Sequence, residues 1–345
     1  MCIRENSIVS KITGWYPMDE LNFSFQGGLS DLNRMDFYEA ARFQYAAARL
    51  SVKLDQFRKT GRFSKRVTTT SRTNIDLFPF ERGSFNLKIA ASEEVDEKPK
   101  IDVPLTALWT YIIERVFQPI ETSAALDLID DNALRSEFFE LVENNIFDSS
   151  AAIEVLRSRL ETDRGLAPSE SELLARLISE VERRAYLISH SDLLAQITPE
   201  QDAALVTMAT PLLSELAVPL RRSAKLVTIS TMDSLGTRQI LTANQETASA
   251  LESIKIDKEV SSIDVNIVQY NKENGWGKFR NVNWEGIPSF SIPADRKDDL
   301  KFNLLSAMQE DKVSVDAYIV RSRSDEPLRL ILVDVNPIDE LDDLL

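Results

Sequence analysis

The chain has 345 residues and a net charge of −15, with 40 basic and 55 acidic side chains, one His, one Cys and ten Gly. Most enzyme chemistry at neutral pH depends on histidine, thiolates, metal clusters or glycine-rich phosphate loops, and the residues for these are nearly absent. A single cysteine excludes both a disulfide framework and a cysteine-based zinc site.

The same totals predict the organisation and location of the protein. A length of 345 residues exceeds what one hydrophobic core usually serves, so we expect two domains. No stretch approaches 18 consecutive apolar residues, and residues 1–10 lack the basic head and apolar core of a signal peptide. We therefore expect a cytoplasmic protein without a membrane span. The strongly acidic composition argues against general nucleic-acid binding.

The first part of the chain predicts strands followed by a long helix. Residues 1–30 are expected to form strands, because apolar and polar residues alternate over 21–25. A helix is predicted over 31–60, with Ser30 as its N-cap and Gly61 as its C-cap. Apolar residues recur along it at helical spacing: Leu32, Met35, Tyr38, Ala41, Tyr45, Ala48 and Val52.

The middle of the chain predicts strands and then a helical region. Strands are expected within 64–91 and helices from 104 to 217. Thr198, followed by proline, predicts a helix start, and Pro211 predicts a kink or a second start. The hydrophobic period returns to two over 223–242, which predicts further strands.

Residues 254–345 predict a second domain. Its strands are expected at 259–270, 276–282, 287–292, 312–321 and 327–335, with a helix at 295–308 between the third and fourth. Three strands, a helix and two strands is the order of an OB-like five-stranded barrel, with an SH3-like barrel as the alternative. An acidic tail follows at 338–345.

Basic residues are concentrated near the end of the first helix. Residues 31–72 hold 10 Lys and Arg against 4 Asp and Glu. The densest cluster, within 49–72, includes Arg58, Lys59, Arg62, Lys65 and Arg66. Convergent cations beside Phe57 and Phe63 can hold a phosphate chain or an unstacked base, or dock an acidic partner. The alternative is a helix C-terminus with favourable cations and a solvated hairpin.

Aromatic residues are predicted on or beside the second and third barrel strands: Trp276, Phe279, Trp284 and Phe290. In nucleic-acid-binding OB domains this face carries stacking residues. Residues 256–335 hold 11 basic and 14 acidic side chains, which gives no attraction for phosphates. We take Trp276 and Trp284, with Leu341 and Leu344 of the tail, as candidates for docking a protein partner. The alternative is that the rings fill the barrel or an interdomain contact.

Two weaker patterns concern catalysis. Asp76, Asp96 and Lys98 have the residue types of a magnesium-dependent nuclease, but so short a match arises by chance in a chain with 55 acidic residues. His190 is a candidate general base with Asp192, or a histidine that suits a helix C-terminus. The sequence contains no Walker, nucleophile-elbow or dinucleotide motif, so we predict no metal and no cofactor.

Three features together resemble a family of uncharacterised bacterial proteins. They are the segments 82–89 (RGSFNLKI) and 218–230 (VPLRRSAKLVTIS) and the barrel order after Lys255. Members of the family join a mixed α/β N-terminal domain to a five-stranded barrel, so the resemblance implies this fold over nearly the whole chain. It implies no activity. Proteins of this kind often belong to mobile-element or phage-defence loci, which implies an antiviral context.

The sequence as a whole predicts an α+β protein with two domains, 1–253 and 254–345, the first including a helical bundle portion. Missing catalytic residues, a small barrel and uneven charge favour a non-catalytic binding or assembly subunit of a bacterial multi-protein complex. Other protein subunits are the expected partners, and a homo-oligomer stays open. The alternatives are a metal-dependent nuclease, or a nucleic-acid or nucleotide sensor that uses the basic segment 49–72.

Overall fold

The computed structural model describes most of both predicted regions. The described residues are 19–62, 75–78, 85–91, 99–117, 168–233, 236–251, 255–257, 259–272, 275–284, 286–322 and 325–336, with Ser136 and Ser158 as single helical residues. Within them the protein is of the α+β class, as predicted, with two separate hydrophobic cores. No helix among these residues has the length and apolar character needed to span a membrane.

The described N-terminal unit, residues 19–251, consists of an antiparallel sheet and helices. The strands are β1 Asp19–Gln26, β2 Ile75–Phe78, β3 Phe85–Ala91, β4 Leu226–Asp233 and β5 Gly236–Asn244. The helices are α1 Phe37–Thr60, α2 Leu105–Val116, α3 Pro168–Ser189, α4 Ser191–Leu194, α5 Pro199–Leu216 and α6 Gln245–Leu251. The strand order is β2-β3-β1-β4-β5.

Helix α1 covers one face of this sheet. The ring of Phe43 meets those of Phe23 and Phe25 edge-on, with centroid separations of 5.3 and 4.9 Å, the geometry that aromatic pairs prefer. Farther along the helix, Leu50 and Leu54 are fully buried. The apolar residues that predicted the helix from the sequence are therefore not the ones that hold it to the sheet.

The ends of α1 follow from capping. The predicted N-cap, Ser30, is wrong: it begins a 3-10 turn that Asn33 ends with a left-handed φ of 54°. The cap is Asp36, whose Oδ1 accepts hydrogen bonds from two backbone N–H groups of the first turn. The predicted C-cap is confirmed, because Gly61 has a φ of 65° and its N–H bonds the carbonyl of Phe57.

Helix α5 also begins as predicted. Thr198, the N-cap, forms a capping box with Gln201, and Pro199 is the first residue of the helix. The predicted second start at Pro211 is wrong, since one helix continues through this residue to Leu216. The predicted helices between 118 and 167 lie outside the described residues, as do residues 1–18 of the predicted first strand region.

Residues 261–336 form the predicted five-stranded barrel. Its strands are β7 Ser261–Asn271, β8 Trp276–Arg280, β9 Ser289–Ser291, β10 Val313–Arg321 and β11 Pro327–Asn336, with α7 Lys297–Ala307 between β9 and β10. A two-residue strand, β6 Lys255–Ile256, pairs with the end of β10, beyond the part of β10 that pairs with β7. The ring runs β7-β8-β9-β11-β10 and closes on β7, with only β9 and β11 parallel among these pairs. This connectivity is OB-like.

Strand alternation gives the barrel a core and an outer face. Val313, Val315 and Ala317 point inward, as their predicted alternation requires. Gly277 also faces inward, because a Cβ there would lie 2.2 Å from the ring of Phe290. Six outward positions on β8, β9, β10 and β11 are buried as well: Trp276, Ser289, Ser291, Val320, Arg329 and Ile331. The N-terminal unit covers this outer face of the barrel.

Candidate functional sites

A buried ion pair lies where the N-terminal unit meets the barrel. Asp202 of α5 is fully buried and accepts hydrogen bonds from the hydroxyl of Tyr111 at 2.6 Å and from Arg115 at 2.8 and 2.9 Å. The remaining terminal nitrogen of Arg115 donates to the carbonyl of Ile292, after barrel strand β9, at 3.3 Å. A charge buried at this depth needs such partners. The ion pair joins α2 to α5 within the N-terminal unit, and the hydrogen bond from Arg115 to Ile292 connects it to the barrel.

The barrel contributes a second buried cation to the same junction. Arg329 of β11 donates from Nη2 to the carbonyls of Arg115 and Val116, at 2.7 and 3.2 Å. These carbonyls belong to the last turn of α2, where the helix dipole favours a positive charge. The guanidinium lies over the ring of Trp276 at 5.2 Å, in cation–π geometry. Trp276, which the sequence suggested for partner docking, is thus 5% exposed and buried inside the molecule.

Burial shifts the titration of the groups at this junction. Burial, and then the positive charge of Arg115, lower the pKa of Arg329 to about 9. Burial by itself lowers the pKa of Arg115, but the negative charge and hydrogen bonds of Asp202 outweigh burial, and the pKa of Arg115 is raised. Asp295 lies beside the same pair, and burial, followed by the charge of Asp202, raises its pKa to about 6.

A cleft of about 320 Å³ opens beside this junction, between α2, α3 and α4 on one side and the barrel on the other. Two of the charged groups that line it have ion-pair partners within the protein. Glu114 accepts from Arg183 at 2.6 Å, and Arg184 donates to Glu180 at 3.0 Å. Asp192, Lys297 and Asp298 also line the cleft, with Trp276 in one wall.

Helix α1 carries an exposed aromatic surface on the side that faces away from the sheet. Tyr38 and Tyr45 are 65% and 64% exposed. Ala41 between them and Ala48 after them are also exposed, and Val52 is partly exposed. We call these five residues the tyrosine seam. It consists of most of the apolar residues from which the sequence predicted the helix, and monomeric proteins rarely leave such a row uncovered.

Two arginines flank the tyrosine seam. Arg42 lies over the ring of Tyr38 at 5.5 Å and Arg49 over the ring of Tyr45 at 5.3 Å. Arg42 also forms a bidentate ion pair with Glu215 of α5. Arg49 has no ion pair within the described ranges. The face thus combines tyrosine with arginine, the residue types that dominate protein-binding energy.

The predicted basic cluster is only partly described. Asp55, itself buried, pairs with both Arg58 and Lys59 at 2.9 Å. Arg58 is buried, and Arg62 is exposed just after the helix. Lys65 and Arg66 lie outside the described residues. A phosphate site at this cluster therefore stays a prediction, and two of its five cations already have a carboxylate partner.

The other predicted residues are scattered over the structure. Trp284 packs edge-on against Phe279 at 5.2 Å, partly buried on the barrel core. Leu341 and Leu344 of the tail lie outside the described residues. The contacts of His190 are those of a helix C-terminus, since its Nδ1 lies 2.9 Å from the carbonyl of Tyr186. No hydrogen bond to Asp192 is seen in the described part of the chain.

The predicted nuclease residues are not seen together. Asp76 is exposed on β2, while Asp96 and Lys98 lie outside the described residues. The residues that the structure describes contain no group of three His, Cys, Asp or Glu side chains placed to hold a metal ion.

Sequence reasoning missed the junction and the orientation of α1. Asp202 is 91 residues from Tyr111 and 87 residues from Arg115 in the sequence, and no local pattern links it to them. The tyrosine seam left a visible signal, because Tyr-x-Ala-Ala-Arg occurs twice at a spacing of seven, from Tyr38 and from Tyr45. Comparisons with models of known protein families, with curated proteins and with solved structures gave no match.

Proposed function

We propose that this protein is a non-catalytic binding subunit of a multi-protein complex and that the tyrosine seam is its binding face for a helix of another protein. The observation that carries the proposal is the pair of largely exposed tyrosines on a helix whose opposite side is fully buried. Burying such rings against a partner stabilises a complex, and the helix is already rigid, so little conformational entropy is lost on binding.

The rest of the molecule supports this choice. The outer face of the barrel, where OB-like domains often bind ligands, is occupied by the N-terminal unit through Trp276 and Arg329. In the interdomain cleft, Glu114 and Arg184 are engaged by Arg183 and Glu180 of the same chain. Both features serve internal assembly, whereas the tyrosine seam contacts nothing within the described residues that would explain its composition.

Site-specific photo-crosslinking in the native host tests the proposal. A photoreactive phenylalanine replaces Tyr45 in the full chain, and a matched chain carries it at Phe302, a 74% exposed position on barrel helix α7. We expect position 45 to form one recurring crosslink to a single protein and position 302 to lack it. The crosslink should disappear when Tyr38→Ser is added.

Two results would reject the proposal. Equal and diffuse crosslinking from both positions would show that the tyrosine seam is ordinary surface. Turnover of nucleotides or nucleic acids by the purified chain would show that it is an enzyme.

A further inference from the structure

The tyrosine seam has the spacing of one side of a helix–helix contact. Its five residues follow the alternating three- and four-residue steps of heptad positions a and d, with tyrosine, tyrosine and valine at a and alanine at d. The span from Tyr38 to Val52 is two heptads, or about 22 Å of helix. Alanine at both d positions lets a second helix approach closely. The geometry therefore suits one helix laid along α1.

The charges on α1 are arranged unequally between its two sides. The helix carries five basic and two acidic residues in a chain whose net charge is −15. Both acidic residues, Glu39 and Asp55, are buried against the rest of the protein. Arg42 and Arg49 occupy the e positions beside the tyrosine seam. Glu215 of α5 compensates the charge of Arg42, so Arg49 is the positive charge beside the seam that has no carboxylate partner among the described residues.

This charge pattern disfavours a second copy of the chain as the partner. In an antiparallel pair of α1 helices the e positions face each other, which would bring arginine against arginine. In a parallel pair they would face the g positions, Phe37 and Gln44, which offer no negative charge. Like charges opposed across a contact select against that pairing.

The covered face of the barrel shows which groups such a surface binds. There Arg329, which lies over the ring of Trp276, donates to the carbonyl oxygens at the end of α2, the negative end of that helix. The stacked Arg49 and Tyr45 present the same pairing of groups outward. Arg42 already has such a partner in the carboxylate of Glu215, whereas Arg49 has none among the described residues. A negatively charged oxygen is accordingly the partner that Arg49 lacks.

We infer that the partner element is an acidic amphipathic helix, with apolar residues at its a and d positions and Glu or Asp at the flanking positions. This inference rests on the proposed function and specifies the partner of the same face. The carboxylates of the partner helix bind Arg49 and supplement Glu215 at Arg42. The apolar side chains of the partner helix cover the rings of Tyr38 and Tyr45.

Binding of designed peptides by the full-length protein tests the inference. The probe is a fluorescent three-heptad helical peptide with Leu at a and d and Glu at e and g, and its control carries Lys in place of each Glu. Fluorescence anisotropy should show at least tenfold tighter binding of the Glu peptide, weakening with salt. Arg49→Glu should weaken binding of the Glu peptide at least tenfold, so that the protein then binds the Lys peptide more tightly than the Glu peptide. Phe302→Ser should leave both affinities unchanged.

Several outcomes would overturn the inference. Equal affinity for the two peptides, or no binding of either, contradicts an acidic helix. Binding of single-stranded oligo-dT that Arg49→Glu abolishes would identify a nucleic-acid face instead, and self-association lost with Tyr45→Ser would identify a second copy. If position 45 crosslinks a protein while the Glu peptide does not bind, the proposed function stands and this inference fails. Failure of both assays rejects the binding face itself.

Discussion

The barrel and helix α1 carry the same pairing of groups in opposite settings. On the barrel, Arg329 lies over Trp276, and the two residues are 3% and 5% exposed beneath the N-terminal unit. On α1, Arg49 lies over Tyr45, which is 64% exposed. In the covered pair, Nη2 of Arg329 donates to two carbonyls at the end of α2, while its Nη1 is buried without a hydrogen-bond partner among the described residues. The uncovered pair, Arg49 and Tyr45, has the same cation–π geometry on an exposed face, and for this reason we assign its partner to another molecule.

The comparison separates two reasons for finding aromatic and arginine residues on a surface. Where an arginine–aromatic pair is buried with backbone acceptors, it joins parts of one chain, and its removal costs stability. Where the pair is exposed on an already stable helix, its removal leaves the fold intact and costs affinity. Substitutions at matched positions can distinguish these roles.

The largest effect is expected from Asp202→Ala at the covered junction. The substitution leaves Arg115 as a buried charge and the hydroxyl of Tyr111 without its acceptor, so we expect a loss of about 3–5 kcal/mol in the free energy of unfolding. Urea denaturation followed by circular dichroism measures it. Asp299→Ala, an exposed acid on α7, is the control. A loss below about 1 kcal/mol would show that Asp202 does not hold the junction.

The second prediction compares the effect on stability of removing the covered Trp276 with that of removing the uncovered Tyr45. Trp276→Ala should lower the free energy of unfolding by about 3–5 kcal/mol, because it empties a buried site between the two units. Tyr45→Ala should change it by less than about 0.5 kcal/mol while reducing capture of the crosslinked partner. Denaturation of both variants in the same buffer gives the comparison. Similar losses for the two variants would contradict the distinction between covered and uncovered faces.

The smallest expected effect concerns pH at the covered junction. The pKa of Asp295 is raised to about 6 by burial and by the charge of Asp202, against about 4 in an unfolded chain. The protonated group therefore contributes stability that is complete below pH ~4 and is lost as the pH rises to about 6. Asp295→Asn should match the wild type near pH 4 and be more stable at pH 7. Denaturation midpoints at both pH values measure this, and a difference independent of pH would contradict it.

Local patterns were enough to predict the barrel. Val313, Val315 and Ala317 alternate with polar residues because one face of β10 is buried, and the turns between strands are marked by glycine or proline. The parallel contact between β9 and β11 then follows from the predicted order of an OB-like barrel.

The candidate site could be predicted only in part. Helix α1 has two apolar stripes, and periodicity shows that both are apolar without showing which one the sheet covers. Phenylalanine and leucine at Phe43, Leu50 and Leu54 bury more apolar area than the tyrosine seam, and this decides the orientation. The pairing of Arg115 with Asp202 depends on the packing of α2 against α5, which no sequence spacing reveals.

Hydroxyl-radical footprinting of the protein purified from its native host tests the central claim most directly. Oxidation of Tyr38 and Tyr45 in the native assembly is compared with oxidation in the isolated chain, and Phe302 serves as the exposed reference. We predict that both tyrosines are protected at least severalfold in the assembly while Phe302 is oxidised equally in the two samples. Equal oxidation of the tyrosines in both samples would show that no partner covers the tyrosine seam.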